Sequence, residues 1–169
     1  MKVHFFDTLY GPIAVIWTKK KDKTAIKRIM ISRPKSSIEQ RVAVTFPDVV
    51  PGLTEETLQL AKKIKKYCSG EPIEFVLDNL DFSCLSQFRE KVYHQLFKTK
   101  RGETLSYGEL AALAGYYGAA RAVGTAMKNN PFPFVIPCHR VIKADGTYGK
   151  FFGAEDLKKR LIEKENYLS

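Results

Sequence analysis

The pattern of apolar residues changes near residue 80, and this change limits the folds open to the chain. Before it, VHFFDTLYGPIAVIWTK forms two apolar runs around Tyr10, Gly11 and Pro12, and AIKRIMIS follows the basic turn KKKDK. Short β-branched runs separated by turn residues are typical of antiparallel strands. The first part therefore predicts a small antiparallel sheet, with the lysines of residues 19–23 at a solvated hairpin tip.

One helix signal interrupts this part of the chain. Thr54 is an N-terminal signal before a segment in which Leu60, Ile64 and Tyr67 recur at helical spacing, and Gly70 is a natural stop. The sequence therefore predicts a helix between Thr54 and Gly70.

From about residue 83 onward the helical period dominates. Phe88, Val92 and Leu96 form one apolar stripe of a helix expected over residues 86–98. Before it, the apolar segment 73–82 is expected to form a further strand.

These patterns predict an α+β protein of two domains. Residues 1–80 are expected to form a small N-terminal antiparallel β-sheet domain with a helix. Residues 81–169 are expected to form a mainly helical C-terminal domain that contains a helix-turn-helix and Cys138.

The helix-turn-helix is predicted from two short helical segments. Thr104 and Ser106 precede YGELAALAG, and a Tyr-Tyr-Gly turn leads into AARAVGTAMKNNP. Two short helices joined by a tight turn match such a unit, although many helix pairs share the pattern.

The second of these helices has one apolar face and one polar, positive face. The apolar face consists of Ala119, Ala122, Val123, Ala126 and Met127, and the polar face of Arg121, Gly124, Thr125 and Lys128. Glycine in mid-helix costs about 1 kcal/mol against alanine. Gly124 therefore indicates either that a ligand comes close to this backbone or that helix packing requires it.

The overall charge favours a polyanionic partner. The 28 Lys and Arg residues outnumber the 18 Asp and Glu residues, which gives a net charge of +10. Nucleic acid is the first candidate partner, and a lysine-rich solvated surface is the alternative. Without a signal peptide or a long apolar run, we expect an intracellular protein with no membrane partner.

The three cysteines give no metal signature. Cys68, Cys84 and Cys138 are widely spaced and the chain has three histidines, so no metal site is expected. We interpret Cys68 and Cys84 as packing residues, with a disulfide between them as the alternative.

The run FVIPCHRVIK places a thiol, an imidazole and a guanidinium in a segment with the composition of a buried strand. A thiol with a pKa of about 8.5 is mostly neutral at pH 7, but His139 can take its proton and Arg140 adds positive charge. Neighbouring residues on a strand point to opposite faces. Cys138 and His139 can therefore cooperate only if the chain leaves the extended form at Pro137, or through a water. An inert buried cysteine is the alternative.

The motifs IPCHRVI, GETLSYGELA and ARAVGTAM followed by NNP resemble those of the O6-alkylguanine-DNA alkyltransferases, also called methylated-DNA–protein-cysteine methyltransferases. The resemblance covers residues from about 80 to 165. It implies that Cys138 accepts the alkyl group and that His139 acts as a water-mediated base oriented by Glu165. It also implies that Asn130 braces the active-site turn and that Tyr107 protonates the leaving guanine.

The same resemblance implies a DNA surface and a base pocket. Arg121 is similar to the finger that fills the gap left by an extruded nucleotide. The implied DNA-binding residues are Arg121, Gly124, Thr125, Ala120, Lys128 and Ser106. The implied pocket residues are Tyr107, Met127, Val141, Phe151 and Phe152. The two phenylalanines depart from the family's glycine-rich pattern and predict a more apolar, tighter pocket.

The resemblance implies a DNA repair protein that flips out O6-alkylguanine, with O4-alkylthymine as a further substrate. It transfers the alkyl group to Cys138 in a single turnover and needs no cofactor. We expect the protein to bind double-stranded DNA through the minor groove and to act as a monomer. Its expected location is the cytoplasm, in association with the nucleoid if the host is prokaryotic. The alternatives are an alkyltransferase-like DNA-binding module without chemistry and a thiol hydrolase with a Cys–His pair.

Overall fold

The fold is taken from a computed structural model, which describes residues 1–33, 36–149 and 155–166, with only the backbone of Glu155. The chain divides into two compact units. The first consists of residues 1–81 and 131–133, and the second of the remaining residues from 82 onward.

A four-stranded sheet forms the centre of the first unit. Strands β1 (Lys2–Thr8), β2 (Gly11–Lys20) and β3 (Lys23–Ile31) pair in antiparallel order, as their apolar runs predict. Strand β4 (Val50–Pro51) adds to β1 in parallel, which gives the order β3-β2-β1-β4.

Two helices accompany this sheet. Helix α1 (Ile38–Thr45) packs on the face that contains Ala14, Ile16 and Met30, and Val42 joins the same apolar cluster. Helix α1 was not predicted, because its β-branched residues have low helix propensity.

Helix α2 (Glu55–Ser69) has the predicted bounds and lies against β1. Thr54 caps its N-terminus, and Gly70 ends it in a left-handed conformation with φ of 105°. The α2 prediction is therefore confirmed.

The strand predicted over residues 73–82 is wrong. This segment is irregular, with a turn at Asp78 and Asn79, and Leu80 makes an isolated bridge to Ile26. Asp78 and Asn79 favour turns over a continuous strand, and the backbone N–H of Ile26 donates to the Asn79 carbonyl at 2.7 Å.

The second unit is mainly helical, as predicted. Its elements are α3 (Gln87–Phe97), β5 (Leu105–Ser106), α4 (Tyr107–Leu113), α5 (Ala120–Lys128), a 3₁₀ helix (Cys138–Arg140), β6 (Val141–Ile142) and α6 (Glu155–Asn166). The predicted helix over residues 86–98 and both helices of the helix-turn-helix are present.

Helix α5 packs its apolar face into this unit. Val123, Ala126 and Met127 are buried, and the buried hydroxyl of Tyr93 on α3 donates to the Ala126 carbonyl at 2.8 Å. Ala122 is exposed, against the prediction, because its direction lies about 100° from that of Val123, at the edge of the apolar face.

The cysteines differ in their surroundings. Cys68 is buried, as a packing residue should be, but Cys84 is exposed in the turn before α3, so its predicted packing role is wrong. The three cysteines, all within the described residues, form no disulfide. Among the described residues, each helix is too short or too polar to serve as a membrane span.

Candidate active site

The chain before Cys138 is a series of turns, so the buried strand that the composition of FVIPCHRVIK indicates does not form there. Three prolines, Pro131, Pro133 and Pro137, each lack the N–H group that a strand ladder needs. Phe134 lies between them in the left-handed region, with φ of 71°. Cys138 therefore directly follows a turn segment whose backbone is constrained by prolines.

The 3₁₀ helix begins at Cys138, and its backbone hydrogen bonds fix the positions of Cys138 and His139. The N–H of Cys138 donates to the Ile136 carbonyl at 2.8 Å, and that of Arg140 donates to the Pro137 carbonyl at 2.9 Å. The same Ile136 carbonyl accepts from the Asn130 side chain at 2.9 Å. Cys138 and His139 have thus left the extended form, which their cooperation requires.

A short parallel pair of strands brings Tyr107 to this helix. Leu105 pairs with Val141, and Ser106 pairs with Ile142. Ser106 also caps α4 through a reciprocal capping box with Glu109, so that Tyr107 opens the helix. This pairing could not be predicted from the sequence, because two-residue strands show no periodicity.

His139 and Glu165 form a buried pair. The Nε2 atom of His139 lies 3.0 Å from Oε1 of Glu165. A carboxylate can only accept, so the ionised Glu165 requires the proton of His139 on Nε2 and leaves Nδ1 as the basic atom. Burial lowers the pKa of His139, against the opposing effect of Glu165, so the imidazole is neutral at rest.

Glu165 is held by further donors. Arg140 donates from Nη2 to Oε1 at 2.8 Å and from Nε to Oε2 at 3.0 Å, and the N–H of Gly102 donates to Oε2 at 3.2 Å. Burial raises the pKa of Glu165, but the hydrogen bonds from His139 and Arg140 and the charge of Arg140 outweigh it and hold that pKa well below its usual range. Arg140 therefore forms an ion pair with Glu165, and its predicted role as the cation near the thiol is wrong.

The cation near the thiol is Lys158, which the sequence reasoning missed. Its side chain on α6 is buried, and Nζ donates to the Val141 carbonyl and lies 5.9 Å from the centre of the Tyr107 ring. A signal was available, because Lys158 and Glu165 share the helical face of Leu161 and Ile162. Charged residues in an apolar face point to a site.

The pKa values of this cluster follow from burial. Burial raises the pKa of the Cys138 thiol to about 11, against the hydrogen bond from Asn130 and the charge of Lys158. Burial lowers the pKa of Lys158 to about 8, and burial followed by the charge of Cys138 raises the pKa of Tyr107. At pH 7 the resting site therefore holds a neutral thiol, a charged lysine and a neutral phenol.

The predicted DNA-binding residues lie on the outer side of α5 and at the start of α4. Arg121, Thr125 and Lys128 are exposed, while Ala120, Gly124 and Ser106 are half-buried. A Cβ atom at Gly124 would meet the Tyr107 ring at 3.9 Å, an ordinary contact. Internal packing therefore does not require glycine there.

The predicted pocket residues are described in part. Met127 and Val141 are buried and Tyr107 is half-buried, whereas Phe151 and Phe152 lie outside the described residues. In the described part of the chain, no group of three or more His, Cys, Asp or Glu residues could hold a metal ion.

Comparison with known proteins matches this arrangement. The family model described as "6-O-methylguanine DNA methyltransferase, DNA binding domain" matches residues 87–167. The methylated-DNA–protein-cysteine methyltransferase of Mycolicibacterium paratuberculosis is 41% identical over 72% of this chain and 74% of its own length. That of Methanothermobacter thermautotrophicus is 42% identical over 63% of this chain, and the human protein 39% over 78%. These two alignments span 60% and 66% of the relatives' own lengths.

Solved structures agree on the fold. The crystal structure of Mycobacterium tuberculosis OGT in complex with DNA has a TM-score of 0.80 at 27% identity, covering 99% of this chain and 94% of that one. The Pyrococcus kodakaraensis O6-methylguanine-DNA methyltransferase has a TM-score of 0.71 at 26% identity, covering 97% and 98%.

Fold and site thus define a class of protein that combines a helix-turn-helix with a buried cysteine followed by a hydrogen-bonded His–Glu pair. The chain belongs to the methylated-DNA–protein-cysteine methyltransferase family.

The buried charge of Lys158 predicts an effect of pH on stability. Burial lowers the pKa of Lys158 from the ordinary 10.5 to about 8, so the charged lysine costs the folded state about 3 kcal/mol of stability. The unfolded chain binds this proton more readily, so the cost is complete below pH 8 and disappears as pH rises through 10.5. Lys158→Met should therefore stabilise the protein at pH 7 by about 2 kcal/mol, since the Val141 carbonyl loses a hydrogen bond worth about 1 kcal/mol.

Urea unfolding of both proteins from pH 7 to 10.5 measures this difference, which should shrink with rising pH. Lys159→Met, a change at the exposed neighbouring lysine, should shift the free energy of unfolding by less than about 0.5 kcal/mol. A Lys158→Met protein that is less stable than wild type at pH 7 would contradict the burial cost.

Proposed function

We propose that the protein repairs DNA by transferring the alkyl group of O6-alkylguanine, and of O4-alkylthymine, to Cys138. The observation that carries the proposal is the thiol itself, which is buried at the start of the 3₁₀ helix beside Asn130 and Lys158. The family membership supports the same chemistry. The protein is proposed to act as a monomer in the cytoplasm.

The first step is ionisation of the Cys138 thiol. Its raised pKa means that a base must remove the proton on demand. In the proposal, Nδ1 of His139 takes the proton through a water, and the Glu165 carboxylate stabilises the resulting imidazolium. The ammonium group of Lys158 then stabilises the thiolate.

The second step is an in-line displacement at the alkyl carbon. The thiolate sulfur forms the C–S bond while the bond from that carbon to O6 breaks, and its electron pair passes to guanine. Tyr107 donates its hydroxyl proton to the leaving base, because guanine is a poor leaving group as an anion. The raised pKa of Tyr107 keeps the phenol protonated until then.

The product is a thioether, and the described residues contain no evident group that could break its C–S bond. Each protein molecule therefore reacts once. The alkylated DNA supplies the transferred group, so the proposal needs no cofactor.

DNA binding is assigned to the outer face of α5. A base inside a stacked duplex cannot reach a buried sulfur, so the nucleotide must be flipped out at a cost of a few kcal/mol. The exposed Arg121 is suited to fill the vacated stack, as inserted side chains do in proteins that bend DNA through the minor groove. The low profile at Gly124 and Ala120 lets the helix enter that groove.

Incubation with a duplex that carries one O6-methylguanine, followed by peptide mass spectrometry, tests the proposal. We expect one methyl group per protein, located on Cys138, with no further turnover in excess DNA. Cys138→Ala should abolish transfer, whereas Cys84→Ala, which removes an exposed thiol, should leave it intact. An unmodified Cys138 peptide in a protein that binds the duplex would refute the transfer.

The position of the Tyr107 hydroxyl gives a second prediction. A Cβ atom at Gly149 would overlap the Tyr107 hydroxyl oxygen, whereas one at Gly124 meets the ring at ordinary distance. Gly149→Ala should therefore displace the proton donor and slow reaction with a free O6-alkylguanine base at least tenfold, about 1.4 kcal/mol in the barrier.

Gly124→Ala is the matched control, because it adds the same methyl group beside the same ring. It should leave the free-base rate within about twofold while weakening duplex binding. Equal free-base rates in wild type and Gly149→Ala would remove Tyr107 from the reaction.

A further inference from the structure

Positive charge in this protein is not confined to the unit that contains α5. The first unit has fourteen Lys and Arg residues against ten Asp and Glu residues, a net charge of +4. Nothing in the proposed reaction uses this charge. Its distribution within the unit therefore indicates whether the unit has a partner of its own.

Three arginines of the first unit lie in the second half of β3, just after it and on the helix that packs against it, and we call Arg28, Arg33 and Arg41 the arginine cluster. Arg28 pairs with Ile16 in the sheet and lies two residues before Met30, on the face that α1 covers. Arg41 lies on α1, and its Nη1 donates to the Ile31 carbonyl at 2.5 Å. Arg33 follows β3 by two residues and is exposed.

The members of the cluster act on one another. Burial, then the positive charges of Arg33 and Arg28, lower the pKa of Arg41. In the described part of the chain, neither Arg28 nor Arg41 forms an ion pair with a carboxylate. Guanidinium groups whose charges repel one another favour an anion beside them, because an anion offsets that repulsion.

Phosphate suits this site better than an isolated carboxylate does. Guanidinium groups bind phosphate oxygens with two parallel hydrogen bonds, and several guanidiniums in one place match the repeated charge of a nucleic acid backbone. The hairpin-tip lysines, in contrast, are flexible point charges at the other end of β3.

We propose that the arginine cluster binds the phosphodiester backbone of duplex DNA. The inference rests on the proposed function and extends it, since it gives the N-terminal unit a share in DNA affinity. Contacts to phosphate carry no sequence information, so the cluster contributes equally for damaged and undamaged duplex.

The test compares two variants with the same loss of charge. One is Arg28→Gln/Arg33→Gln/Arg41→Gln, and the control is Lys19→Gln/Lys21→Gln/Lys23→Gln at the exposed hairpin tip. Affinity for an undamaged duplex is measured by fluorescence anisotropy over a range of salt concentrations. The cluster variant should bind about tenfold more weakly at low salt, with a salt slope shallower by about 3, because each of the three phosphate contacts contributes about 0.9.

The control should change affinity by less than about threefold. Equal losses in both variants would mean a general charge effect and overturn the inference. Because Arg41 is partly buried, thermal unfolding is recorded for each variant, and Arg33→Gln alone, at an exposed residue, should still make the salt slope shallower by about 1. An unchanged slope in Arg33→Gln would also overturn it.

Further arms separate this inference from the proposed function and from other anions. If Arg121→Ala weakens duplex binding while the cluster variant does not, the inference fails and the proposed function stands; if wild type does not bind duplex, both fail. NMR signals of the arginine Nε–H groups should move on addition of duplex. Equal movement with inorganic phosphate at the same phosphate concentration, or movement with polyglutamate alone, would overturn the inference.

Discussion

The buried carboxylate of Glu165 is the constraint on which the arrangement around Cys138 and His139 depends. It accepts from His139, from two nitrogens of Arg140 and from the N–H of Gly102, and Arg140 in turn donates to the Thr99 carbonyl. Burying a charge costs several kcal/mol unless its hydrogen bonds are satisfied. These donors offset that cost, and in doing so they join α6, the 3₁₀ helix and the loop after α3.

The same helix carries the second buried charge. Lys158 lies seven residues before Glu165, two helical turns along one face of α6. One helix therefore places a carboxylate behind the imidazole and an ammonium group beside the thiol. A buried lysine with a lowered pKa weakens the fold, and such costs are typical of functional sites.

Much of the fold could be predicted from the sequence where local signals agree. Helices α2 and α3 have a regular apolar stripe and a capping residue, and β1 to β3 are separated by strong turn residues. Prediction failed where local and tertiary preferences differ. The β-branched α1 is helical because Ile38 and Val42 join an apolar cluster, and the apolar residues 134–136 form turns because prolines flank them.

The site was predictable to a similar extent. The motif around Cys138 predicts a nucleophile, which stays a prediction, and the resemblance implied Glu165, which the structure places against His139. The pairing of β5 with β6 and the burial of Lys158 depend on contacts between distant segments, which periodicity does not encode. The assignment of Arg140 to the thiol failed for the same reason, since its actual partner is 25 residues away.

The central claim is that the Glu165 charge activates Cys138 through His139. The most direct test is the single-turnover rate of alkyl transfer from a free O6-alkylguanine base to Cys138, measured against pH in wild type and in folded Glu165→Gln. Because the variant loses the charge that stabilises the imidazolium, its rate at pH 7 should fall about a hundredfold, the range of general-base catalysis, and recover in part as pH rises toward the thiol pKa of about 11. The same rate and the same pH profile in both proteins would contradict the account.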